Sequence, residues 1–167
     1  MSKNSAVKIK ATGFQKALNI LSLFTIIGYL SYCLLLWCSM PEMIPRHFNA
    51  LGEIDAYWSK NYFWFIPCLT IGIYLLLTIC EFFPQSWNLP QNKKADLLTD
   101  KRNLHLAYSM MLWLKLECII IFWLITYYTI NNLNLPIYFL GVSMLILFAT
   151  LGYYIYQIYR KTEGEKS

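Results

Sequence analysis

Residues 40–60 read MPEMIPRHFNALGEIDAYWSK and lie between two long apolar segments of a 167-residue chain. Two prolines, a histidine, an asparagine, a glycine, an aspartate, a tryptophan and a lysine occur in this stretch at close spacing. The flanking segments, by contrast, hold mainly the apolar residues that a chain needs to cross a bilayer. The stretch is therefore predicted to be a short loop that is tethered to a membrane at both ends, and it is the main candidate for function.

Composition places the rest of the chain in a membrane. Hydrophobic residues make up 57% of the chain and charged residues 14%, whereas about 25% of the residues of a soluble domain are charged. A spanning helix needs about 20 mostly apolar residues, and a backbone in lipid must satisfy its own hydrogen bonds. The predicted fold class is an all-α membrane protein in which residues 1–167 form one four-helix transmembrane domain. The predicted spans are residues 17–38, 61–83, 108–130 and 135–158.

The basic residues predict which side of the membrane each loop faces. Four lysines precede the first span, four basic residues lie in the 84–107 loop and three follow the last span, against two in 40–60 and none in 131–134. The expected location is the cell membrane, crossed several times, with both termini and the basic 84–107 loop in the cytoplasm and the 40–60 loop outside. The net charge of +5 then comes mostly from the basic residues on the cytoplasmic side, which anionic lipid headgroups attract. We therefore expect the lipid bilayer, and no nucleic acid, as a partner.

The sequence contains no motif for catalysis or for a cofactor. All five cysteines lie within predicted spans, without CxxC or Cys/His ligand spacing, so neither a disulfide scaffold nor a zinc site is indicated. A Ser-His-Asp order, HExxH and a phosphate-cradling glycine loop are also missing from the sequence. We therefore expect no enzymatic activity, no cofactor and no bound metal.

The two remaining connections carry signals for the ends of helices. Residues 131–134, Asn-Asn-Leu-Asn, leave room only for a tight turn, so the third and fourth helices are expected to form an antiparallel hairpin. Asn134 is predicted to cap the fourth helix, with Pro136 in the first turn. In the 84–107 loop, residues 96–107 are predicted to be a basic amphipathic run that continues into the third helix. This basic loop is a possible docking surface for a protein partner.

Two charged residues, Lys115 and Glu117, interrupt the third predicted span. A charge at the centre of a spanning helix costs about 2.5–3.5 kcal/mol on insertion scales, so each side chain needs a partner. Residues two apart point about 200° apart around a helix, so these two cannot pair with each other. We expect Lys115 to reach either the inner headgroups or Glu81, at the inner end of the second span. We expect Glu117 to face the helix bundle, and an ion or ligand relay is the functional alternative for both charges.

The positions of proline and glycine predict a hairpin in the 40–60 loop. Pro41 and Pro45 bias the residues before them toward extended backbone. Between two short aromatic-rich segments, residues 49–53 contain Gly52 and other residues that tolerate a positive φ angle. A small hairpin over the outer mouth of the helix bundle fits this pattern.

The same loop carries side chains that can bind a ligand. His47, Glu53 and Asp55 can ligate a cation, but their spacing matches no known metal motif. A turn that gathers His47, Asn49 and Asp55 into one hydrogen-bonded cluster explains the same residues, and recognition of a ligand or peptide is the third alternative. The candidate ligand-binding or loop-structuring residues are Pro45, His47, Asn49, Gly52, Asp55, Trp58 and Lys60.

The loop also resembles a known family. From Pro41 to Lys60 it follows the pattern Pro-x-x-Ile-Pro-x-His-Phe-Asn-x-x-Gly-x-x-Asp-x-x-Ser-Lys, with one extra residue between Asp and Ser. This pattern is similar to the bacterial membrane family catalogued as the domain of unknown function numbered 1648, which also forms the N-terminal part of SdpI-type immunity proteins. The resemblance implies a bacterial multi-pass inner-membrane protein, in a family that includes immunity proteins against a secreted peptide toxin. It supplies no established catalytic residue.

Two classes of function stay open at this point. In the first, the outer loop recognises a peptide, a toxin or another envelope ligand, and the protein confers immunity or signals. In the second, the chain is a small transporter or channel-like subunit, or an accessory subunit of a larger complex, with Lys115 and Glu117 beside a polar path. Four helices are few for a transporter, so the second class implies a homo-oligomer.

Overall fold

The computed structural model describes residues 9–87, 89 and 97–163, with only the backbone course for 85, 97–100 and 161–163. Most of the described chain is helical, and a two-stranded antiparallel sheet lies between the first and second helices. The elements in chain order are α1 (Gly13–Leu36), β1 (Met43–Phe48), β2 (Ile54–Ser59), α2 (Phe65–Glu81), α3 (Leu97–Ile130) and α4 (Phe139–Glu163). The orientation argument also uses Lys3, Lys8, Lys93, Lys94 and Lys166, which lie outside the described residues.

Each of the four helices is long and apolar enough to cross a membrane. This confirms the predicted class of a mostly helical protein with four helices of spanning length. The helix α1 begins at Gly13, earlier than the predicted residue 17, because Thr12 forms a capping box. The Thr12 hydroxyl accepts a hydrogen bond from the Gln15 amide, and the Gln15 side chain accepts one from the Thr12 amide. Two amides that the helix leaves unpaired are satisfied in this way.

The second and third helices differ in length from their predicted spans. The helix α2 begins at Phe65 instead of residue 61, because residues Lys60–Tyr62 form a separate 3₁₀ turn that the Ser59 hydroxyl caps. The helix α3 begins at Leu97 instead of residue 108 and runs for 34 residues. At 1.5 Å per residue this is about 51 Å, so α3 is longer than the ~30 Å of hydrocarbon that a bilayer presents.

The start of α4 corrects the prediction for Asn134. Its side-chain oxygen does not cap α4 but accepts a hydrogen bond from the Ile54 amide, 3.0 Å away in β2. The helix begins later, at Phe139, whose amide donates to the Pro136 carbonyl in the turn that precedes α4. Residues 137–138 form a turn that the Phe139–Pro136 bond closes, and this turn precedes the first residue of the helix. The connection between α3 and α4 is thereby free to contact the sheet.

The helix α3 occupies the middle of the bundle and packs against α1, α2 and α4, and it also contacts β1. Near the C-terminal end of α3, the hydroxyl groups of Tyr29 and Thr126 lie 2.9 Å apart and tie α1 to α3. Buried apolar side chains extend from this pair to the base of the sheet, so the sheet rests on the end of the bundle. The main cluster of these side chains comprises Ile26, Tyr29, Cys33, Met40, Ile44, Phe63 and Ile119.

Candidate functional site

The strands β1 and β2 form a hairpin, which is the first part of the candidate site. Its register pairs Ile44 with Trp58 and Pro45 with Tyr57, and an irregularity follows on either side of His47. Pro45 is buried and precedes the first irregularity, so its missing N–H falls beside the point where the regular ladder is interrupted. The irregular register re-aims the side chains near the tip, as bulges commonly do.

The hairpin turn is held by Asn49 and Gly52. The Asn49 side-chain oxygen accepts from the amides of Leu51 and Glu53 at 2.9 and 3.0 Å, and its amide group donates to the Glu53 carboxylate at 2.9 Å. Gly52 has a φ angle of +83°. A Cβ atom at Gly52 would lie 2.9 Å from the carbonyl carbon of Leu135, which is closer than atoms of this kind approach. Only glycine fits this position.

His47 and Asp55 meet across the hairpin, but they do not join Asn49 in one cluster. The His47 Nδ1 and Asp55 Oδ1 atoms lie 2.7 Å apart, while Asn49 bonds to Glu53. The His47 and Asp55 side chains are 64% and 43% exposed. Because Asn49 bonds to Glu53 and to neither of them, the expectation that all three residues form one cluster was wrong. Among the described residues, no three His, Cys, Asp or Glu side chains come close enough together to hold a metal ion.

The base of the hairpin is fastened by Lys60 and Trp58. The Lys60 ammonium lies 2.7 Å from the Glu42 carboxylate, and the Lys60 amide donates to the Glu42 carbonyl. The Trp58 ring stacks on Tyr62 with centroids 5.3 Å apart. These contacts assign Lys60 and Trp58 to the structure of the loop. The tip of the hairpin and its face toward α4 are then the surfaces that a ligand can contact.

A groove lies beneath the hairpin tip, between α2, α3 and the start of α4. Its volume is about 260 Å³. Thr129 at the floor is 2% exposed, and its hydroxyl has no hydrogen-bond partner among the described residues. Arg46 and His47 stand at the rim and both are exposed. The remaining walls are mostly apolar and include Phe48, Ile66, Ile125, Leu135, Pro136, Ile137, Phe139 and Leu140.

The hairpin and the α3–α4 connection build this groove together. The Leu135 amide donates to the Gly52 carbonyl at 2.8 Å, beside the Asn134–Ile54 bond. Sequence reasoning missed Thr129 and the α3–α4 side of the groove, because these residues are some 80 positions from the hairpin and share no local pattern with it. The only signal was the unexplained polar Asn134, which was assigned to a helix cap.

Lys115 does not reach the end of the helix bundle. Its side chain is completely buried, and its ammonium lies 2.6 Å from the Glu81 carboxylate and 2.9 Å from the Asn19 side-chain oxygen. Thr78 lies 3.4 Å away, and the Tyr74 ring centroid 5.1 Å away. Of the two expected partners, headgroups or Glu81, the structure selects Glu81. Asn19 was missed, although it is one of two amide side chains in the otherwise largely apolar α1.

Glu117 lies on the opposite side of α3 and faces α4. The Thr150 hydroxyl donates to its Oε1 atom at 2.5 Å, while its Oε2 atom is buried and has no hydrogen-bond partner in the part of the chain that the structure describes. This contact places the Glu117 carboxyl group at the interface between α3 and α4. Lys115 and Glu117 therefore belong to separate environments and do not line one shared path.

Basic and polar residues near the start of α3 also turn inward. The Arg102 guanidinium donates to the Gln157 carbonyl of α4 at 2.7 Å. The Gln15 amide group of α1 donates to the His105 carbonyl at 3.0 Å and to the Ser109 hydroxyl at 2.9 Å. These bonds tie α1 and α4 to α3 at the end of the bundle opposite the hairpin. Part of the basic 84–107 segment is therefore used inside the fold.

The fold is that of a four-helix protein whose helices are long and apolar enough to span a membrane. The candidate site is the groove beneath the hairpin, at one end of the helix bundle. Residues 24–71 of the chain match the family model described as Domain of unknown function (DUF1648). The match confirms the resemblance seen in the sequence, and it covers the second half of α1, the whole hairpin and the first part of α2. Neither the curated proteins nor the solved structures include a match to this chain.

Proposed function

We propose that this protein is a multi-pass protein of a bacterial inner membrane that binds a peptide ligand outside the cytoplasm. The groove under the hairpin carries the proposal, because it combines mostly apolar walls, a buried hydroxyl at its floor with no partner among the described residues, and the exposed Arg46 at its rim. The asymmetry of basic residues supports a hairpin that faces outward and termini that face the cytoplasm. Binding, not catalysis, is the proposed activity.

The groove favours a peptide with an apolar side chain next to an acidic group. An apolar side chain would bury itself between the residues of α2, α3 and α4, as in most ligand pockets. The Thr129 hydroxyl can donate to a peptide carbonyl or accept from a peptide amide. The exposed guanidinium of Arg46 would pair with a carboxylate at the rim. At about 260 Å³ the groove holds one or two side chains, so the rest of the peptide would lie along the hairpin.

Immunity to a secreted peptide is the form of binding that the family resemblance favours. In that case the protein would capture the peptide at the membrane surface. A signalling role would instead pass the binding event to a protein partner at the basic 84–107 loop. The immunity role and the signalling role both begin with binding of the peptide in the same groove.

Transport through the intramembrane charges is the less favoured alternative. The Lys115 charge is already neutralised by Glu81 inside the bundle, so it offers no free cation to a polar path. A paired charge with buried partners fits a structural contact between α1, α2 and α3 better than a relay. The proposal therefore rests on the groove and not on the ion pair.

A pair of tryptophan substitutions at the hairpin tip tests the groove. Ala50 lines the groove, whereas the neighbouring Leu51 is exposed and does not. The probe is a pool of fluorescent hexapeptides with adjacent Leu and Asp residues, and the control pool carries Asn in place of Asp. Fluorescence polarisation measures binding to the purified full-length protein in detergent micelles.

We expect the acidic pool to bind more tightly than the Asn pool. Ala50→Trp should fill the groove and weaken binding by at least about tenfold, which corresponds to ~1.4 kcal/mol. Leu51→Trp should leave the affinity unchanged. Equal binding of the two pools, or equal effects of the two substitutions, would refute the assignment of the groove as the peptide site.

A further inference from the structure

A second cleft lies between α3 and α4, away from the hairpin. Its volume is about 340 Å³, within the range of about 300–1,000 Å³ that is usual for small-molecule sites. Tyr153 at its edge is 57% exposed, so the cleft opens on the outer surface of the helix bundle. In a bilayer, this opening would face the acyl chains. The cleft is lined by Trp113, Glu117, Ala149, Thr150, Tyr153 and Tyr154.

The carboxyl group of Glu117 is only half satisfied by the protein. Thr150 donates to its Oε1 atom, whereas its Oε2 atom is buried and finds no partner within the described residues 9–87, 89 and 97–163. An ionised carboxylate needs a donor or a cation at that oxygen, and a protonated carboxyl needs an acceptor there. None of the described Lys, Arg or His side chains forms an ion pair with Glu117. The site therefore leaves a negative or strongly polar group available to a molecule in the cleft.

The aromatic lining adds a second attraction for positive charge. Trp113 lies one helical turn before Glu117 on α3, and Tyr153 and Tyr154 face it from α4. The faces of aromatic rings attract ammonium groups, with tryptophan the strongest, and the attraction grows when water is excluded. A carboxylate beside several rings is the combination that recognises an organic cation. The same rings also pack against apolar substituents on that cation.

We propose that this cleft binds a lipophilic organic cation, an ammonium group with apolar substituents that enters from the membrane. Glu117 is the counter-ion, Trp113 and the two tyrosines form the aromatic wall, and Thr150 orients the carboxyl group. This site is separate from the peptide groove. Thr129 on the groove floor is twelve residues from Glu117 on α3, which is about 18 Å along the helix. Its test is therefore independent of the peptide proposal.

Equilibrium dialysis with radiolabelled benzyltrimethylammonium tests the site in the purified full-length protein in nonionic detergent. The wild-type protein should bind the probe saturably, and its neutral isostere neopentylbenzene should not compete. Glu117→Gln keeps the shape of the side chain and should weaken binding at least about tenfold, because the carboxylate charge is lost. Trp113→Leu should weaken binding about three- to tenfold. Glu42→Gln, a matched loss of an exposed carboxylate in the hairpin, should have no effect.

A measurement on the wild-type protein alone tests the proposal even if the variants fail to fold. A photoreactive azidobenzyl-trimethylammonium should label peptides of α3 or α4 that line the cleft, and unlabelled probe should protect them. Binding to Glu117→Gln at wild-type affinity, competition by neopentylbenzene, or labelling that is absent or lies elsewhere would each overturn the proposal. A dimer that forms with concentration and buries Glu117 against a second copy would also overturn it.

Discussion

Removing one member of the Lys115–Glu81 ion pair is expected to destabilise the protein as much as removing both. The Lys115 side chain is fully buried, the Glu81 side chain is 7% exposed, and their charged atoms lie 2.6 Å apart. Breaking a buried pair leaves one charge without compensation and costs about 3–5 kcal/mol, whereas replacing both partners is often close to neutral. The substitutions Lys115→Met and Glu81→Gln keep side-chain length while they remove the charges.

The surroundings place each single substitution near the lower end of that range. After Lys115→Met, the Glu81 carboxylate at the end of α2 keeps a small exposed surface, which limits the cost. After Glu81→Gln, the ammonium keeps the Asn19 oxygen at 2.9 Å and the Tyr74 ring at 5.1 Å. We therefore expect a loss of about 3 kcal/mol in the free energy of unfolding for each single variant. The double variant should also lose about 3 kcal/mol, because Glu81→Gln is not an apolar replacement and leaves its amide and the Asn19 oxygen buried without the ammonium as a partner. The coupling free energy of the pair is then about 3 kcal/mol.

Unfolding by sodium dodecyl sulfate, followed by circular dichroism in mixed micelles, measures these free energies. Lys101→Met is the control, because Lys101 is an exposed lysine on the same helix, and its loss should change stability by less than about 0.5 kcal/mol. Losses that add to about 6 kcal/mol in the double variant would show that the two charges act independently. Single losses below about 1 kcal/mol would show that water reaches the pair, and either result refutes the reasoning.

Three further outcomes are expected. In a background without native cysteines, Ala50→Cys should react with a membrane-impermeant maleimide on intact cells, and reaction only after permeabilisation would reverse the proposed topology. Gly52→Val should destabilise the protein by about 2–4 kcal/mol, because it combines a positive φ angle with a clash at Leu135, whereas Ala50→Ser should be neutral in the same unfolding assay. His47→Ala should cost less than about 1 kcal/mol, because its pair with Asp55 is exposed; a larger loss would mean that the hairpin depends on this contact.

The helices were predictable from sequence because their physical cause is local. A run of apolar residues as long as a bilayer is thick must be helical, and this holds for each helix whatever its neighbours do. The exact ends of the helices were harder to predict from the sequence, because they depend on caps such as Thr12 and on the 3₁₀ turn at Lys60–Tyr62. The length of α3 exceeded its predicted span, because the amphipathic residues before 108 belong to the same helix.

The partners of the charged residues were only partly predictable. The depth of Glu81 follows from counting residues along α2, and it made the pair with Lys115 one of two alternatives. The choice between them depends on how α3 is rotated against α1 and α2, and sequence periodicity does not determine that angle. Asn19 completes the site from 96 residues away. Contacts of this kind arise from the packing of helices that are distant in sequence, so no local sequence pattern predicts them.

The groove divides the candidate site between two parts of the chain. The hairpin and Ile66 lie inside the segment that matches the family, whereas Thr129, Leu135 and Leu140 lie outside it. The Leu135–Gly52 and Asn134–Ile54 hydrogen bonds join the two parts. In the proposed function, the hairpin supplies the basic rim and the backbone, which suit many acidic peptides. Selection among such peptides would then depend on the floor, where an apolar side chain meets residues of α3 and α4. Exchanging floor residues should therefore change which peptide binds, whereas changing Arg46 should weaken all acidic peptides alike.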